Sequence, residues 1–348
     1  MALSASASQP HAVAAPVAEP LLRVVDLHTH IALSSGIVKA VNGVSFTVGR
    51  GESVGIVGES GSGKTMTCLS IMQLMSVATA RIASGEIWYE GEDLLKKSQR
   101  EMQAYRGRRI AMIMQDALAA LNPVLRIGDQ VGEPVRYHHL ETSMARIRQR
   151  VVEVLSAVRI PRPEERLNDY PHQFSGGMRQ RIVAAMGLST SPGLIIADEP
   201  TTALDVTIQA QFLLLVRELQ RKTGMAVLWI THDLGVVAQT CDRVNVMYGG
   251  RIVESGPVRR IFSQPRHPYT VGLLESVPRL GEKRRRLHQI DGQPLSLMRL
   301  PKGCPFYDRC PIRMDVCRDS YPEKTPVGED GYVHCWARTS TTAASPAR

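Results

Sequence analysis

The sequence contains no hydrophobic run long enough to cross a membrane. A membrane-spanning helix needs about 18 consecutive apolar residues, whereas apolar runs here, such as "MAVLWI" at 225–230, have the length of a buried strand. The beginning of the sequence also lacks the basic start and continuous apolar block of a secretory signal. We therefore expect a chain that does not itself span a membrane. A reducing compartment is expected too, so a disulfide framework is not.

Large apolar residues are scarce in the first twenty positions. Residues 1–20 are rich in alanine, serine and proline, which predicts a disordered tail. The 348-residue chain as a whole is 43% hydrophobic, enough for a substantial core, and its length predicts two domains or one large domain with an extension. The formal net charge of +9 is compatible with nucleic-acid binding. Because no nucleic-acid module is recognisable, no such partner is expected.

A glycine-rich loop is the first motif that carries chemistry. The segment "ESVGIVGESGSGKTMTCLSIM" (52–72) reads as strand, loop and helix, and it fits the pattern G-x-x-x-x-G-K-[ST]. The amides of such a loop, with the positive end of the following helix, bind phosphate. Lys64 is expected to reach the β- and γ-phosphates of a nucleotide, and the Thr65 hydroxyl to bind Mg²⁺. The predicted loop contacts are Gly58, Ser60, Gly61 and Gly63.

Two further segments complete the predicted nucleotide site. "GLIIADEP" (193–200) is an apolar strand that ends in Asp198, placed to hold Mg²⁺ through water, and Glu199, placed to orient or deprotonate the attacking water. "QFSGGMRQR" (173–181) offers a hydroxyl and exposed amides at an expected helix start. One phosphate group does not need two such cradles from one chain, so this segment is expected to serve the nucleotide of a partner subunit. Its predicted contacts are Ser175, Gly176 and Gly177.

These motifs, followed by "ALD" (203–205) and "ITHD" (230–233), occur in an order and spacing that resemble an ATP-binding cassette (ABC) ATPase. The resemblance covers about residues 21–260. It implies an α/β P-loop core with a small antiparallel β part and an inserted helical subdomain, here about residues 116–190. It also implies that two such domains close head to tail on two ATP molecules. Each ATP then lies between the phosphate loop of one subunit and the signature of the other.

The resemblance also assigns roles to individual residues. Gln115, in "IMQD", matches a glutamine that meets Mg²⁺ and the attacking water. His232 matches a hydrogen-bond donor to the γ-phosphate, a task that suits a neutral imidazole. Asp205 would lie at the dimer seam. The family usually stacks an aromatic ring on adenine, but Ile31 stands at the matching position, so apolar contact of the base with Ile31 or Val38 is expected instead. Since Glu199 and His232 are both present, hydrolysis is expected.

The type of ABC protein that this sequence predicts is a separate ATPase subunit of an importer. The chain carries one phosphate loop and one signature, with no tandem cassette, long coiled coil or membrane span. The segment "QPRHPYTVGLLESVPRL" (264–280) closely resembles the C-terminal element of the oligopeptide, dipeptide and nickel importer ATPases. The signature and "LNPVLRIG" (121–128) resemble their D-type subunit.

This resemblance implies partners, a location and a cargo. The partners would be a second ATPase, either an F-type heterodimer partner or an identical copy, two permease subunits and, indirectly, an external peptide-binding protein. The location would be the cytoplasmic face of the inner membrane. In the family, the segment matching 116–134 meets a short helix of the membrane subunit. The expected cargo is di- or oligopeptides, with nickel or oligosaccharides as alternatives. A non-transport ABC ATPase is the alternative class.

Four cysteines cluster in the expected extension, residues 261–348, whose end is predicted to be a disordered tail. Their spacing is C-x5-C-x6-C-x17-C, without the C-x₂-C pairs that zinc ribbons favour. Four thiolates can hold Zn²⁺ or a [4Fe–4S] cluster, and a similar cysteine segment carries such a cluster in some peptide-importer ATPases. A structural [4Fe–4S] cluster is therefore expected, with zinc or unliganded thiols as alternatives. The predicted ligands are Cys304, Cys310, Cys317 and Cys335.

Overall fold

The computed structural model of the protein describes residues 19–75, 78–278 and 289–338. The predicted amino-terminal tail of residues 1–20 lies outside these ranges except for its last two positions, and so does everything after residue 338. Within the described ranges, no helix has both the length and the apolar character that crossing a bilayer requires.

The strands of the described residues form two sheets. An antiparallel sheet has the strand order β2-β1-β4-β5, and a larger sheet has the order β11-β12-β10-β9-β3-β8-β7-β6. In the larger sheet, β9, β3, β8, β7 and β6 pair in parallel. The remaining pairs, β9 with β10, β10 with β12 and β12 with β11, are antiparallel. The strands are β1 (Leu22–Leu33), β2 (Gly36–Val48), β3 (Ser53–Val57), β4 (Ala80–Tyr89), β5 (Glu92–Asp93), β6 (Ile110–Ile113), β7 (Leu194–Asp198), β8 (Ala226–Thr231), β9 (Arg243–Tyr248), β10 (Arg251–Pro257), β11 (Thr325–Pro326) and β12 (Tyr332–Val333).

The helices cover the larger sheet and form an insert between β6 and β7. They are α1 (Lys64–Ile71), α2 (Gln99–Met102), α3 (Ala117–Ala120), α4 (Ile127–Tyr137), α5 (Met144–Ala157), α6 (Pro163–Arg166), α7 (Gly176–Leu188), α8 (Val206–Thr223), α9 (Leu234–Thr240), α10 (Val258–Ser263), α11 (Pro268–Glu275) and α12 (Val316–Asp319). Short 3₁₀ helices occupy Leu94–Lys96, Pro171–Gln173, Tyr307–Arg309 and Trp336–Arg338.

The central parallel strands explain why the predicted motifs meet. Every residue of β3, β7 and β8 is buried, as expected for parallel strands covered by helices on both faces. β3 and β7 both pair in parallel with β8, so the carboxyl ends of the three strands share one edge of the sheet. Ligands of open parallel sheets bind outside these carboxyl ends. This architecture, with its helical insert and separate antiparallel sheet, confirms the predicted α/β P-loop fold.

The insert is held together by apolar faces at helical spacing. Helix α5 covers most of the stretch 144–158 that the sequence pattern marks as amphipathic, and it buries Ile147, Val151 and Val154. Helix α4 buries Ile127 and Val131 on the facing side. The two helices pack with α7 in one apolar cluster that continues under β7 and α8.

A buried carboxylate shapes the turn that precedes α11. Glu254 on β10 is fully buried, and its oxygens accept hydrogen bonds from the backbone amides of Arg266 and His267 and from Arg260 Nη1. Nδ1 of His267 accepts the Tyr269 N–H at 3.1 Å and so caps α11. Burial lowers the pKa of His267 to about 3. The ring is therefore neutral in the folded protein at neutral pH.

Replacing His267 by asparagine should weaken the pH dependence of stability. An unfolded imidazole takes up a proton near pH 6.5, whereas the buried ring, with its pKa of about 3, does not. The free energy of unfolding is thus lower at pH 5.5 than at pH 7, by about 1 kcal/mol from this residue. Asparagine can also cap the helix but does not titrate.

Urea unfolding of both proteins at these two pH values measures the difference. From pH 7 to pH 5.5, the free energy of unfolding of the wild type should fall by about 1 kcal/mol more than that of His267→Asn. Equal losses would mean that His267 is protonated alike in the folded and unfolded states.

Candidate nucleotide site

The phosphate loop joins β3 to α1 and leaves no room for side chains at two of its glycines. A Cβ atom on Gly58 would lie 2.1 Å from the carbonyl oxygen of Met247, and one on Gly63 would lie 2.2 Å from that of Ala40. Gly63 also has a φ of +108°, a conformation that side chains rarely adopt. The loop is therefore a backbone cradle, which suits phosphate. The other predicted loop contacts, Ser60 and Gly61, are exposed.

The ammonium group of Lys64 lies over this loop. Its Nζ donates hydrogen bonds to the carbonyl oxygens of Gly58 at 2.8 Å and Glu59 at 3.0 Å. Burial lowers the pKa of Lys64, while the carboxylates of Glu199, Asp198 and Glu59 oppose that shift. A positive charge thus lies inside the cradle where the sequence predicts phosphate.

Two of the predicted Mg²⁺ ligands are in contact. The hydroxyl of Thr65, on the second residue of α1, donates to Oδ1 of Asp198 at 3.1 Å. Asp198 ends β7 and is buried; burial, with the neighbouring Glu199, raises its pKa, although the Thr65 hydrogen bond opposes the shift. A hydroxyl and a carboxylate side by side are the oxygen ligands that Mg²⁺ prefers. The residues therefore fit the cation that the sequence predicts.

Three side chains converge on one oxygen of Glu199. Oε2 accepts hydrogen bonds from Gln115 Nε2 at 3.3 Å and from Thr202 Oγ1 at 3.2 Å, and it lies 3.2 Å from Nδ1 of His232. The backbone of Glu199 is left-handed, with φ +46°, and such strained residues cluster at functional sites. The structure thus brings the three predicted catalytic residues together. Thr202 is an addition that the sequence analysis missed, although it lies only three residues after Glu199.

The signature segment begins α7 on the surface. The hydroxyl of Ser175 accepts the Met178 N–H and caps the helix, and Ser175 and Gly176 are exposed. A Cβ on Gly177 would lie 2.5 Å from Cγ2 of Ile208, so this glycine allows α7 to approach α8 closely. Among the described residues, no hydrogen bond joins the signature to the phosphate loop.

The remaining two predicted contacts lie apart from this cluster. Asp205 caps α8 by accepting the Ile208 N–H at 3.0 Å, and its neighbour Val206 is 84% exposed. Ile31 lies on β1 in the antiparallel sheet, opposite Val38 of β2, and it is partly buried.

The cysteines of the extension contradict the metal prediction. They line one cavity of about 20 Å³, but no group of three or more His, Cys, Asp or Glu side chains in the described part of the chain is arranged to hold a metal ion. Burial raises the pKa of Cys304 to about 12 and that of Cys335 to about 11, so both are neutral thiols in the metal-free protein. The predicted [4Fe–4S] cluster is therefore wrong, and the zinc alternative has no support. The cysteines are free. Their number matches the ligands of a cluster, but their side chains lack the coordination geometry.

Two family descriptions match separate parts of the chain. The family described as "ABC transporter" matches residues 41–202. The family described as "Oligopeptide/dipeptide transporter, C-terminal region" matches residues 253–317. The first range contains the phosphate loop, Gln115, the signature and Glu199, and the second contains the turn before α11 and three of the cysteines.

Curated relatives align along nearly the whole chain. The dipeptide transport ATP-binding protein DppD of Bacillus subtilis (strain 168) is 52% identical over 91% of this chain and 95% of its own length. The oligopeptide transport ATP-binding protein OppD of Salmonella typhimurium is 47% identical over 92% of this chain and 94% of its own length.

Solved structures share the fold of the core. A dimeric post-hydrolysis state of the ATP-binding cassette MJ0796, bound to ADP and Pi, has a TM-score of 0.61 and 26% identity, and it covers 68% of this chain and 99% of that one. CbiO1 from Clostridium perfringens, part of the ABC transporter complex cbiONQ, also has a TM-score of 0.61, with 25% identity, and covers 70% of this chain and 91% of that one.

Proposed function

Because this chain belongs to the family of ATP-binding proteins of dipeptide and oligopeptide ABC transporters, we propose that it drives the import of short peptides. It is an ATPase, like the family. The observation that carries the proposal is the set of predicted hydrolytic groups around Glu199 and Lys64, in a chain of which 91% aligns with a dipeptide transport ATP-binding protein.

The proposed nucleotide contacts follow from the cradle. The loop amides between Gly58 and Gly63, with Lys64, would hold the phosphates of ATP. Thr65, Asp198 and Gln115 would hold Mg²⁺, which when bound neutralises charge on the phosphates. Ile31 would contact the adenine through its apolar side chain.

The proposed chemistry centres on Glu199. Its carboxylate would orient the attacking water and accept its proton. Gln115 and Thr202 hold the carboxylate in place through their hydrogen bonds. His232, whose ring is more than half exposed, would donate a hydrogen bond to the γ-phosphate.

We further propose that a second ATPase subunit completes the site. Ser175, Gly176 and Gly177 begin a helix whose free amides and positive end suit an anion, and the first two of them are exposed. The exposed Asp205 and Val206 would border the same interface. The dimeric state of the similar cassette MJ0796 supports this arrangement. The partner is an identical copy or an F-type relative.

The proposed membrane partners are two permease subunits, and the helical insert carries the surface proposed to meet one of them. Helices α4 and α5 enclose a groove of about 330 Å³ that is lined in part by Ile147 and Val151. Val124, which is 75% exposed, and Met144, which is 63% exposed, add apolar surface on this insert. We propose that a short permease helix docks here and transmits closure of the ATPase dimer. This would place the chain at the cytoplasmic face of the membrane, with an external peptide-binding protein delivering the cargo.

Uptake of labelled dipeptides and tetrapeptides tests the proposed cargo. The cells would carry wild type, Lys64→Met or Lys96→Met as their only copy. Lys64→Met removes the charge in the cradle and should reduce peptide uptake to the level of cells without the gene. Lys96→Met is a matched control, because that side chain is 79% exposed and exposed charges contribute little. Uptake of nickel by wild type, with no Lys64-dependent peptide uptake, would contradict the peptide proposal and favour the nickel alternative.

A further inference from the structure

The carboxylate of Glu59, in the phosphate loop, is bound by an arginine of the C-terminal extension. Nη1 of Arg309 donates to Oε2 of Glu59 at 2.8 Å, and Nη2 donates to Oε1 at 3.0 Å. The Arg309 side chain is 6% exposed, so this bidentate ion pair is only weakly screened by water. Paired, charge-assisted contacts of this kind fix orientation as well as distance.

A tyrosine of the same extension binds the backbone of Glu59. The Tyr269 hydroxyl accepts the Glu59 N–H at 2.8 Å. Tyr269 is fully buried, and burial raises its pKa, so the phenol stays neutral. The turn capped by His267, with Pro268 at the first position of α11, places this ring. The "HPY" stretch thus has a structural task, which is to bring a hydroxyl to the phosphate loop.

Further contacts hold Arg309 and the extension around it in place. Its Nε donates to the carbonyl oxygen of Asp291 at 3.0 Å. The rings of Tyr248, Tyr269 and Phe306 pack against one another, with centroid distances of 4.6–5.4 Å. Phe306 belongs to the cysteine segment and Tyr248 ends β9, so the extension is anchored to the parallel sheet beside the loop.

Glu59 is therefore held at three points. Arg309 binds its carboxylate, Tyr269 binds its amide, and Lys64 donates to its carbonyl oxygen at 3.0 Å. We propose that Arg309 and Tyr269 form a brace that keeps the phosphate loop in the shape that accepts ATP. They act as positioning residues, since neither belongs to the proposed ATP contacts. The inference deepens the proposed function because it concerns the same nucleotide site.

Weakening the brace should lower ATP affinity more than the rate of hydrolysis. Without the brace, the phosphate loop must be ordered when ATP binds. The free-energy cost of ordering it raises the dissociation constant. Glu199 and its hydrogen-bond partners are left in place. We expect Arg309→Lys, which keeps the charge but loses the planar fork, and Tyr269→Phe, which removes only the hydroxyl, each to raise the Kd and KM for ATP about fivefold to tenfold. The kcat should stay within about twofold.

The test measures ATP Kd, KM, kcat and melting temperature for wild type and these variants. Arg313→Lys is the matched control, because Arg313 is exposed and lies in the same cysteine segment. The single variant Glu59→Gln and its combination with Arg309→Lys are also measured. The double variant should bind ATP no more weakly than the weaker-binding single variant, because both substitutions disrupt the same ion pair. A merely structural contact would lower the melting temperature and leave Kd unchanged.

If Tyr269→Phe had the same Kd and KM for ATP as the wild type, the proposal would be overturned, whatever Arg309→Lys does to stability. A failure of the transport proposal is distinguishable from this result. Wild-type protein that hydrolyses ATP without supporting peptide uptake would contradict the peptide function, while the shifts in Kd would still support the brace.

Discussion

Replacing Glu199 by glutamine is expected to reduce ATP hydrolysis by at least about 100-fold, because general-base catalysis commonly contributes a factor of about 10²–10⁴. Glutamine has the same shape as glutamate but cannot accept the proton of the attacking water. Its side-chain oxygen can still accept hydrogen bonds from Gln115 and Thr202, which bind Oε2 in the wild-type protein. ATP binding should therefore remain close to that of wild type.

Single-turnover hydrolysis and equilibrium binding of ATP by the purified proteins separate these two effects. Glu218→Gln is the matched control: it makes the same chemical change at an exposed ion pair with Arg159 and should hydrolyse ATP normally. If Glu199→Gln hydrolysed ATP within tenfold of wild type, another group would have to activate the water. If binding failed instead, the carboxylate would be holding the site together.

Replacing Gly63 by alanine is expected to weaken ATP binding about 100-fold. The added Cβ would lie 2.2 Å from the carbonyl oxygen of Ala40 and 2.7 Å from Cε of Met247, at a φ of +108°. The neighbouring carbonyl belongs to β2 and cannot move without disturbing that strand. The loop must therefore shift, and a loss of roughly 3 kcal/mol corresponds to this change in affinity.

Gly61→Ala separates the steric clash from the backbone preference. Gly61 also has a positive φ, of +77°, but nothing lies within 4 Å of an added Cβ. The Kd of this variant for ATP should exceed that of wild type by less than about tenfold, because only the backbone preference is lost. Isothermal titration of both variants gives the comparison. Similar affinities would show that the close approach of Ala40 to Gly63 does not determine the shape of the cradle.

Motifs that are contiguous in the chain could be recognised before the structure was known. The phosphate loop lies between a buried strand and a helix, and "ADEP" lies at the end of a buried strand. Each motif is contained in a short stretch, so its local geometry follows from its local sequence. The parallel core follows from fully apolar strands. The α/β P-loop fold that the resemblance to ABC ATPases implies is confirmed.

The prediction of a cluster from the cysteine spacing and from the resemblance to other peptide-importer ATPases was wrong. Four cysteines in the extension supplied the right number of ligands for a cluster, but a metal centre needs side chains arranged around one point. Whether four thiols meet in that way depends on how an irregular segment packs. The described residues hold the four cysteines in a small apolar cavity as free thiols.

By itself, the sequence determined the elements of this protein: the phosphate loop, the acidic pair at the end of β7 and the signature helix. Only the tertiary structure decided which side chains meet. The contact of Thr65 with Asp198 and the convergence of Gln115 and His232 on Glu199 depend on four parallel strands, β3, β6, β7 and β8, that end at one edge. The pair of Arg309 and Glu59 joins positions 250 residues apart. No local pattern encodes such a contact, because the packing of the extension on the sheet is what brings the two residues together.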